Sequence, residues 1–595
     1  MEKQVTFWQY WQLLVHYLRP QKGRVTLLSL LILGGISLQL VNPQLVRRFL
    51  DSVETGRSLN ELLNTAVFFM LIAMAAQLLK LASTYVGEYV AWSATNELRA
   101  DLALHCLQLD MSFHKVHKPG ELIERVDGDV NQLANFFSQL IIQLVSNFLL
   151  LAGVLILLWW VDWRVGATIS AIGLVGMLLL NWLNKRIVPR WQTLRQVESD
   201  LFGYLEEWLS GTEEIQTNRA APYIMRHLYQ LLRQRWQALM AAMQLNLFVM
   251  SLPILVPTLA YIVAYLWGNQ LFRNGVLTIG SVYLIFYYID VIKNPLWVIQ
   301  RQVQDLQRAA ASMNRIIALF AQQPTIQDGA KRPLRAGPLA VQFDNVTFAY
   351  NDMPETEAGM VTPVLRHVSF TLAPGTVLGL LGRTGSGKTT ITRLLLRFYD
   401  PTTGAIRLGD ENGRFVDLRD TWQANLRQRI GMVTQDVELF HASVRDNLTL
   451  FDDKMDDKHI LNALDKLALT PWLENLPNGL DTHLDGSDAL SAGEAQLLAL
   501  ARVFLGDPGL VILDEASSRL DPATEQLLER AIDRLLAGRT AIIIAHRLGT
   551  VQRADEIMIL ADGEILEHDQ RILLSHTPSS HFYQLLQTGL EELIT

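Results

Sequence analysis

Before about Phe320 the chain is a succession of long apolar runs divided by charged stretches; after it, short apolar runs alternate with glycine turns and charged segments of helical pattern. A helix that crosses the hydrocarbon core needs about 20 mostly apolar residues. Six segments qualify, at roughly 25–46, 64–90, 136–161, 165–184, 246–271 and 279–301. Six crossings return the chain to the side from which it started. The links after the second and fourth spans are long, charged and helical in pattern, as in "NELRADLALHCLQLDMSFHKVHKPGELIERVDGDVNQL", whereas "VDWR" at 161–164 is the tightest of the short ones. The pattern therefore predicts membrane helices that run far into the aqueous phase on one side. Ahead of the first span, Trp8 to Leu18 reads as an amphipathic helix lying on the membrane, without the compact apolar core and cleavage site of a signal peptide. Arg19, Lys22 and Arg24 follow it, which places the N-terminus in the cytoplasm.

Composition agrees with a membrane protein: half of the 595 residues are hydrophobic, with 14 Trp, and the mean hydropathy is +0.18. A net charge of -8 leaves no basic excess, so nucleic acid is not an expected partner. The single cysteine, Cys106, excludes an intramolecular disulfide, a Cys-x-x-Cys metal pair and a redox dithiol, and is read as a small buried side chain. Charges within the spans are few: Lys80 and Glu88 in the second, Asp290 and Lys293 in the sixth. Asp290 and Lys293, three apart, suit a helix-internal ion pair; a contact to substrate or ion is the other reading. Pro253 and Pro257 interrupt the fifth span. Tyr283, Phe286, Tyr287, Tyr288 and Trp297 suit amphipathic cargo, although aromatics at helical spacing more often pack against lipid and neighbouring helices.

Chemistry enters in the second half. "VLGLLGRTGSGKTTITRLLLRFYD", from Val377, is an apolar strand, a glycine loop and a helix, and Gly382 to Thr389 fits G-x-x-x-x-G-K-[ST] in that context. Glycines at Gly382, Gly385 and Gly387 let backbone N–H groups close on phosphate oxygens, with Thr384, Ser386 and Thr390 alongside. Lys388 is expected to reach the β- and γ-phosphates and Thr389 to ligate Mg²⁺. "GLVILDEASSRLD", from Gly509, is a second apolar strand ending in Asp514, on the magnesium side, and Glu515, placed to polarise the attacking water. "TAIIIAHRL" leads into His546, which can hydrogen-bond the γ-phosphate.

"LSAGEAQLLALAR", Leu490 to Arg502, precedes the Asp-Glu strand and resembles the signature of ATP-binding cassette (ABC) proteins. Phosphate loop, signature, Asp514–Glu515 and His546 come in that family's order. The resemblance extends to Tyr350 in "NVTFAY", the aromatic that stacks on adenine, and to Gln435 in "IGMVTQDVELFHASVRDNL", which touches Mg²⁺ and contacts the membrane loops. "SSRLD" at 517–521 resembles the crossing loop between paired cassettes, and "THLDGSDA" at 482–489 the exporter segment that meets intracellular loops. "FHKVHKPGELIERVDGDV" at 113–130 and "GTEEIQTNRA" at 211–220 look like the coupling regions of ABC exporters. The resemblance covers nearly the whole chain and implies an all-α six-helix transmembrane domain with long intracellular helices over 1–320. A linker at 321–337 and an α/β P-loop NTPase domain over 338–595 complete it.

In that family two cassettes close head to tail, each ATP lying between one chain's phosphate loop and the other's signature. Here Ser491 and Gly493 stay, but Ala492 replaces the first glycine and Glu494 the glutamine. A methyl at Ala492 hinders close approach, and Glu494 brings negative charge towards an anion. An intact site of its own beside an altered clamp resembles one subunit of the heterodimeric exporters, a homodimer being the alternative. The resemblance thus implies a half-transporter in a plasma (inner) membrane, binding ATP and Mg²⁺, with a second ABC half-transporter as partner. Its cargo would be an amphipathic drug, lipid or peptide. The alternatives are an exporter-fold importer of a metal chelate or siderophore, and a non-transporting regulator or channel.

Overall fold

The computed structural model describes residues 7–139, 143, 145–329, 332–350, 362–486, 490–514, 522–544 and 551–588. They form two compact units: Met1–Leu107 with Gly120–Gln322, and Gln108–Pro119 with Gln323–Thr595.

The first unit is helical. Its principal helices are α1 (Phe7–Leu18), α2 (Lys22–Glu54), α3 (Leu59–Gln108), α4 (Ser146–Val161), α5 (Trp163–Ser210), α6 (Ala221–Arg273) and α7 (Ile279–Ala321). Among the described residues four stretches are long and apolar enough to cross a membrane: Val15–Glu54, Leu59–Gln108, Trp163–Ser210 and Ala221–Arg273. Ser146–Val161 is a shorter apolar helix within the span expected at 136–161, of which positions 140–142 and 144 lie outside the described residues. At about 1.5 Å per residue, α3, α5 and α6 are roughly 70–80 Å long, more than twice a hydrocarbon core of about 30 Å. The surplus is the charged, helix-patterned part of each link.

Small residues and polar ties set how these helices cross. In the 161–164 turn the Asp162 carboxylate accepts the Arg164 N–H at 2.8 Å and caps α5. A Cβ at Gly166 would stand 2.7 Å from the Trp159 Cα, so only glycine lets α5 return against α4 there. The start of α7 is held to α2 in the same way: Asp51 accepts the Gly280 N–H at 2.9 Å, and a Cβ at Gly280 would lie 2.4 Å from the Arg47 carbonyl oxygen. Deeper in, Gln44 Nε2 donates to the Tyr288 hydroxyl at 2.9 Å, which donates to the Leu40 carbonyl at 3.0 Å. Tyr288 is wholly buried with Val154, Leu158, Ala264 and Leu284, so it is a packing residue and leaves the group of cargo-facing aromatics. Cys106 is buried as expected.

The second unit holds three sheets. The strands are β1 (Ala340–Phe348), β2 (Leu365–Leu372), β3 (Val377–Gly382), β4 (Thr403–Gly409), β5 (Phe415–Asp417), β6 (Ile430–Val433), β7 (His441–Ser443), β8 (His483–Asp485), β9 (Leu510–Asp514), β10 (Thr540–Ile544), β11 (Glu556–Ala561) and β12 (Glu564–Gln570). An antiparallel sheet runs β2-β1-β4-β5, a central one β12-β11-β3-β10-β9-β6, and β7 pairs β8. In the central sheet β3, β10, β9 and β6 are parallel, and their continuous apolar sequences follow from burial on both faces. Val511 and Leu513 pack into one core with Leu498 and Leu500, while Leu510 and Ile512 pack into another with Ile391 and Leu394.

Candidate functional site

The parallel register brings the sequence motifs to one edge of the central sheet. Ile544 is level with Leu380 on one side and with Asp514 on the other, Leu513 is level with Val433, and Gly382 is level with Leu560. The phosphate loop, the last residue of β9 and Gln435 thus all follow the carboxyl ends of neighbouring strands, where open α/β sheets bind ligands.

The loop between β3 and α8 (Lys388–Leu395) is shaped by glycines. Gly382, Gly385 and Gly387 have φ of 145°, 85° and 106°. A Cβ at Gly382 would meet the Leu560 carbonyl oxygen at 2.3 Å, and one at Gly387 the Leu365 Cδ2 at 2.6 Å. No side chain caps α8, so its first turn keeps amide donors for an anion. Lys388 is 6% exposed, and its Nζ donates to the carbonyls of Gly382 and Arg383 at 2.6 and 2.9 Å. Ser386 is buried, and its Oγ has no hydrogen-bond partner among the described residues, a state that costs about 1–3 kcal/mol. A buried hydroxyl without a partner beside an ammonium resting on the loop's own carbonyls fits a polyphosphate. Thr384, Gly385 and Thr389 are exposed. Thr389 and Gln435, also exposed, carry the hard oxygen donors that Mg²⁺ takes.

Tyr350 is buried against this loop. Its ring stands edge-on to Phe348 and Tyr399, with centroids 4.8 and 5.1 Å away. Its hydroxyl lies 3.2 Å from the Thr390 Oγ1 and accepts from Arg393 Nη1 at 3.3 Å. The ring face is taken by Lys115, whose Nζ lies 4.8 Å from the centroid. Lys115 belongs to Gln108–Pro119, the piece of the link between α3 and α4 that is part of the second unit. Asp110 anchors that piece by accepting from the Thr325 backbone and hydroxyl. Sequence reasoning missed Lys115 and Arg393, since no spacing rule joins residues that far apart along the chain.

Ser491 is the N-cap of α9 (Ala492–Leu505). The Glu494 carboxylate accepts from the Ser491 N–H at 2.9 Å and from its hydroxyl at 2.7 Å, and the Ser491 Oγ accepts the Glu494 N–H at 3.4 Å. That reciprocal pair is a capping box. The Glu494 carboxylate is thus held on the serine, and the S-x-x-E spacing was the sequence signal for that box. Gly493 is buried and Ala492 exposed. Farther along α9, Arg502 donates to the Asn447 and Glu438 carbonyls, tying the helix to the segment after Gln435; burial pulls its pKa down. Glu515, His546 and the 517–521 loop lie outside the described residues, as do 487–489 of the 482–489 segment.

Comparison with known proteins finds two families along the chain. The family described as ABC transporter transmembrane region matches residues 25–296, and the family described as ABC transporter matches 365–518. YknV of Bacillus subtilis, an uncharacterized ABC transporter ATP-binding protein, is 29% identical over 96% of this chain and 93% of its own length. An ATP-dependent lipid A-core flippase of Idiomarina loihiensis is 27% identical over 98% and 97%. A bacterial Atm1-family ABC exporter solved with ATP bound superimposes with a TM-score of 0.74, covering 96% of this chain and 97% of that one at 23% identity, which speaks for the fold.

Proposed function

Because the chain belongs to the ABC transporter family, as an exporter-type membrane domain fused to one ATPase cassette, we propose that it is one half of a dimer that exports an amphipathic drug, lipid or peptide across a plasma membrane. ATP hydrolysis coupled to transport is the activity of this class of chain. The observation that carries the reading is the loop at the sheet edge, where a buried Ser386 hydroxyl with no partner among the described residues and the Lys388 ammonium lie beside glycine-shaped amides.

In this reading the loop amides, Ser386, Lys388 and Thr390 hold the phosphates, and Tyr350 supports the adenine once Lys115 leaves its ring face. Thr389, Gln435 and Asp514 would hold Mg²⁺, which would supply positive charge to neutralise the phosphates. Glu515 orients and polarises the attacking water, and His546 hydrogen-bonds the γ-phosphate. Ser491 and Gly493 serve the ATP of the partner chain. The lipid-handling relative supports an amphipathic cargo. A different second subunit is favoured, because Ala492 narrows the approach that the usual glycine allows and Ser491's hydroxyl is engaged by Glu494. The membrane links and cassette would then face the cytoplasm.

The test is ATP turnover and mass of the full-length chain in lipid, beside Glu515→Gln. We expect Glu515→Gln to retain bound ATP and lose turnover by roughly 10²-fold or more. Unchanged turnover in that variant overturns the catalytic assignment. A lone wild-type chain that binds ATP without turning it over supports a different partner, whereas a Glu515-dependent homodimer refutes one.

A further inference from the structure

We propose that α6 and α7 form a cage for an organic cation, and that in this structure the cage is filled by the protein's own Lys293. The inference rests on the exporter reading and names the chemical class of its cargo.

Asp290 and Lys293 are joined at 2.7 Å, as an i, i+3 pair. Both side chains are accessible in the chain, 66% and 39% exposed respectively. At about 1.5 Å per residue, Asp290 and Tyr261 each lie roughly 16–18 Å from the ends of α7 and α6 joined by the 274–278 link, about half-way across a core of about 30 Å. Accessible charge at that depth is costly against lipid, so in the assembled dimer this face of α7 is expected to turn to the bundle interior or to water.

The pair does not stand by itself. Tyr261 donates its hydroxyl to the same Asp290 Oδ1 at 3.2 Å, and its ring lies under the Lys293 ammonium, 4.9 Å from Nζ to centroid. Phe286 stacks on Tyr261 with centroids 5.9 Å apart and planes 15° from parallel. A carboxylate at one side and an aromatic face at another are the two elements that hold substituted ammonium groups. Lys293 meets both, as a ligand cation would.

The two halves of the pair differ in mobility. Asp290 has a short side chain pinned by the Tyr261 hydroxyl, whereas Lys293 reaches the cage on a flexible four-carbon stem. An incoming cation therefore displaces the lysine and keeps the carboxylate; an anion would have to do the reverse, against the Tyr261 bond. Phe286 also lines an open cavity of about 460 Å³ on the same two helices, together with Tyr265, Phe272, Val282 and Tyr283. That mostly apolar space, which Asn269 also lines, shares Phe286 with the cage and suits the hydrophobic body of the same ligand. The expected cargo is a lipophilic cation whose charged end sits at Asp290 and Tyr261.

Equilibrium binding of tetraphenylphosphonium to the full-length chain in lipid nanodiscs, without nucleotide, tests this. Lys293→Met should tighten binding by roughly tenfold, because it removes the internal competitor, and a gain cannot come from misfolding. Asp290→Asn should weaken binding by roughly tenfold, and Tyr261→Leu severalfold. Equal losses in Lys293→Met and Asp290→Asn would make the pair structural and overturn the proposal. So would tighter binding of tetraphenylphosphonium in Asp290→Asn, or no saturable binding to either wild type or Lys293→Met. Since nucleotide is absent, the expected pattern without ATP-driven movement would refute the exporter reading and leave the cage intact; movement of another amphiphile without the pattern would do the opposite.

Discussion

Helices α8 and α9 of the cassette both begin at a nucleotide motif, and they begin by opposite means. α8 starts from Gly387 at φ 106°, with no side-chain cap and Leu365 filling the space that a Cβ would need. α9 starts from Ser491 in extended conformation, closed by two side chains that bond each other's backbone. The first is defined by what is missing from the chain, the second by what is attached to it. A site of the first kind has almost no acceptable substitutions, whereas a site of the second kind accepts any residue that keeps the acceptor. Glu494 is of that sort: it departs from the usual glutamine and still completes the box.

The largest effect that bears on this contrast is expected from Lys388→Ala, which removes the cation buried in the first motif. ATPase activity measured in lipid should fall by roughly 10²–10³-fold, and activity near wild type would show that the loop is not the working site. Gly387→Ala comes next. Positive φ and the contact with Leu365 together should cost about 1–3 kcal/mol, seen as a lower Tm and weaker ATP binding; an unchanged melting curve would break the contrast. Ser491→Ala should cost only about 1 kcal/mol of helix stability. Smallest is Glu494→Gln, expected to stay within about 0.5 kcal/mol of wild type because the amide oxygen still accepts. A larger loss would mean that the carboxylate charge matters to folding.

Much of this was legible in the sequence, for identifiable reasons. The strand, glycine loop and helix around Lys388 are local, and a motif read in local context carries its own geometry. The same holds for the i, i+3 pair Asp290–Lys293, which forms as expected. What escaped was non-local. Tyr288 belonged to a row of aromatics at helical spacing, but Gln44 and the Leu40 carbonyl, on another helix, make it a buried strut. Tyr261 could not be joined to Asp290, nor Lys115 to Tyr350, by any periodicity. The capping box of Ser491 and Glu494, by contrast, is local, and the S-x-x-E spacing spells it within four residues.

Residues Gln108–Pro119 are encoded within the membrane half yet fold with the cassette. Cutting the gene at the linker would therefore not cut the protein at its seam. A chimera that joins these spans to another cassette after Gln322 would graft in a foreign Asp110 and Lys115, and the new cassette would have to supply matching counterparts for Thr325 and Tyr350. The two halves are interchangeable only as a matched set, and a crossover placed by motif boundaries alone would leave a strap from one lineage lying on the tyrosine and threonine of another.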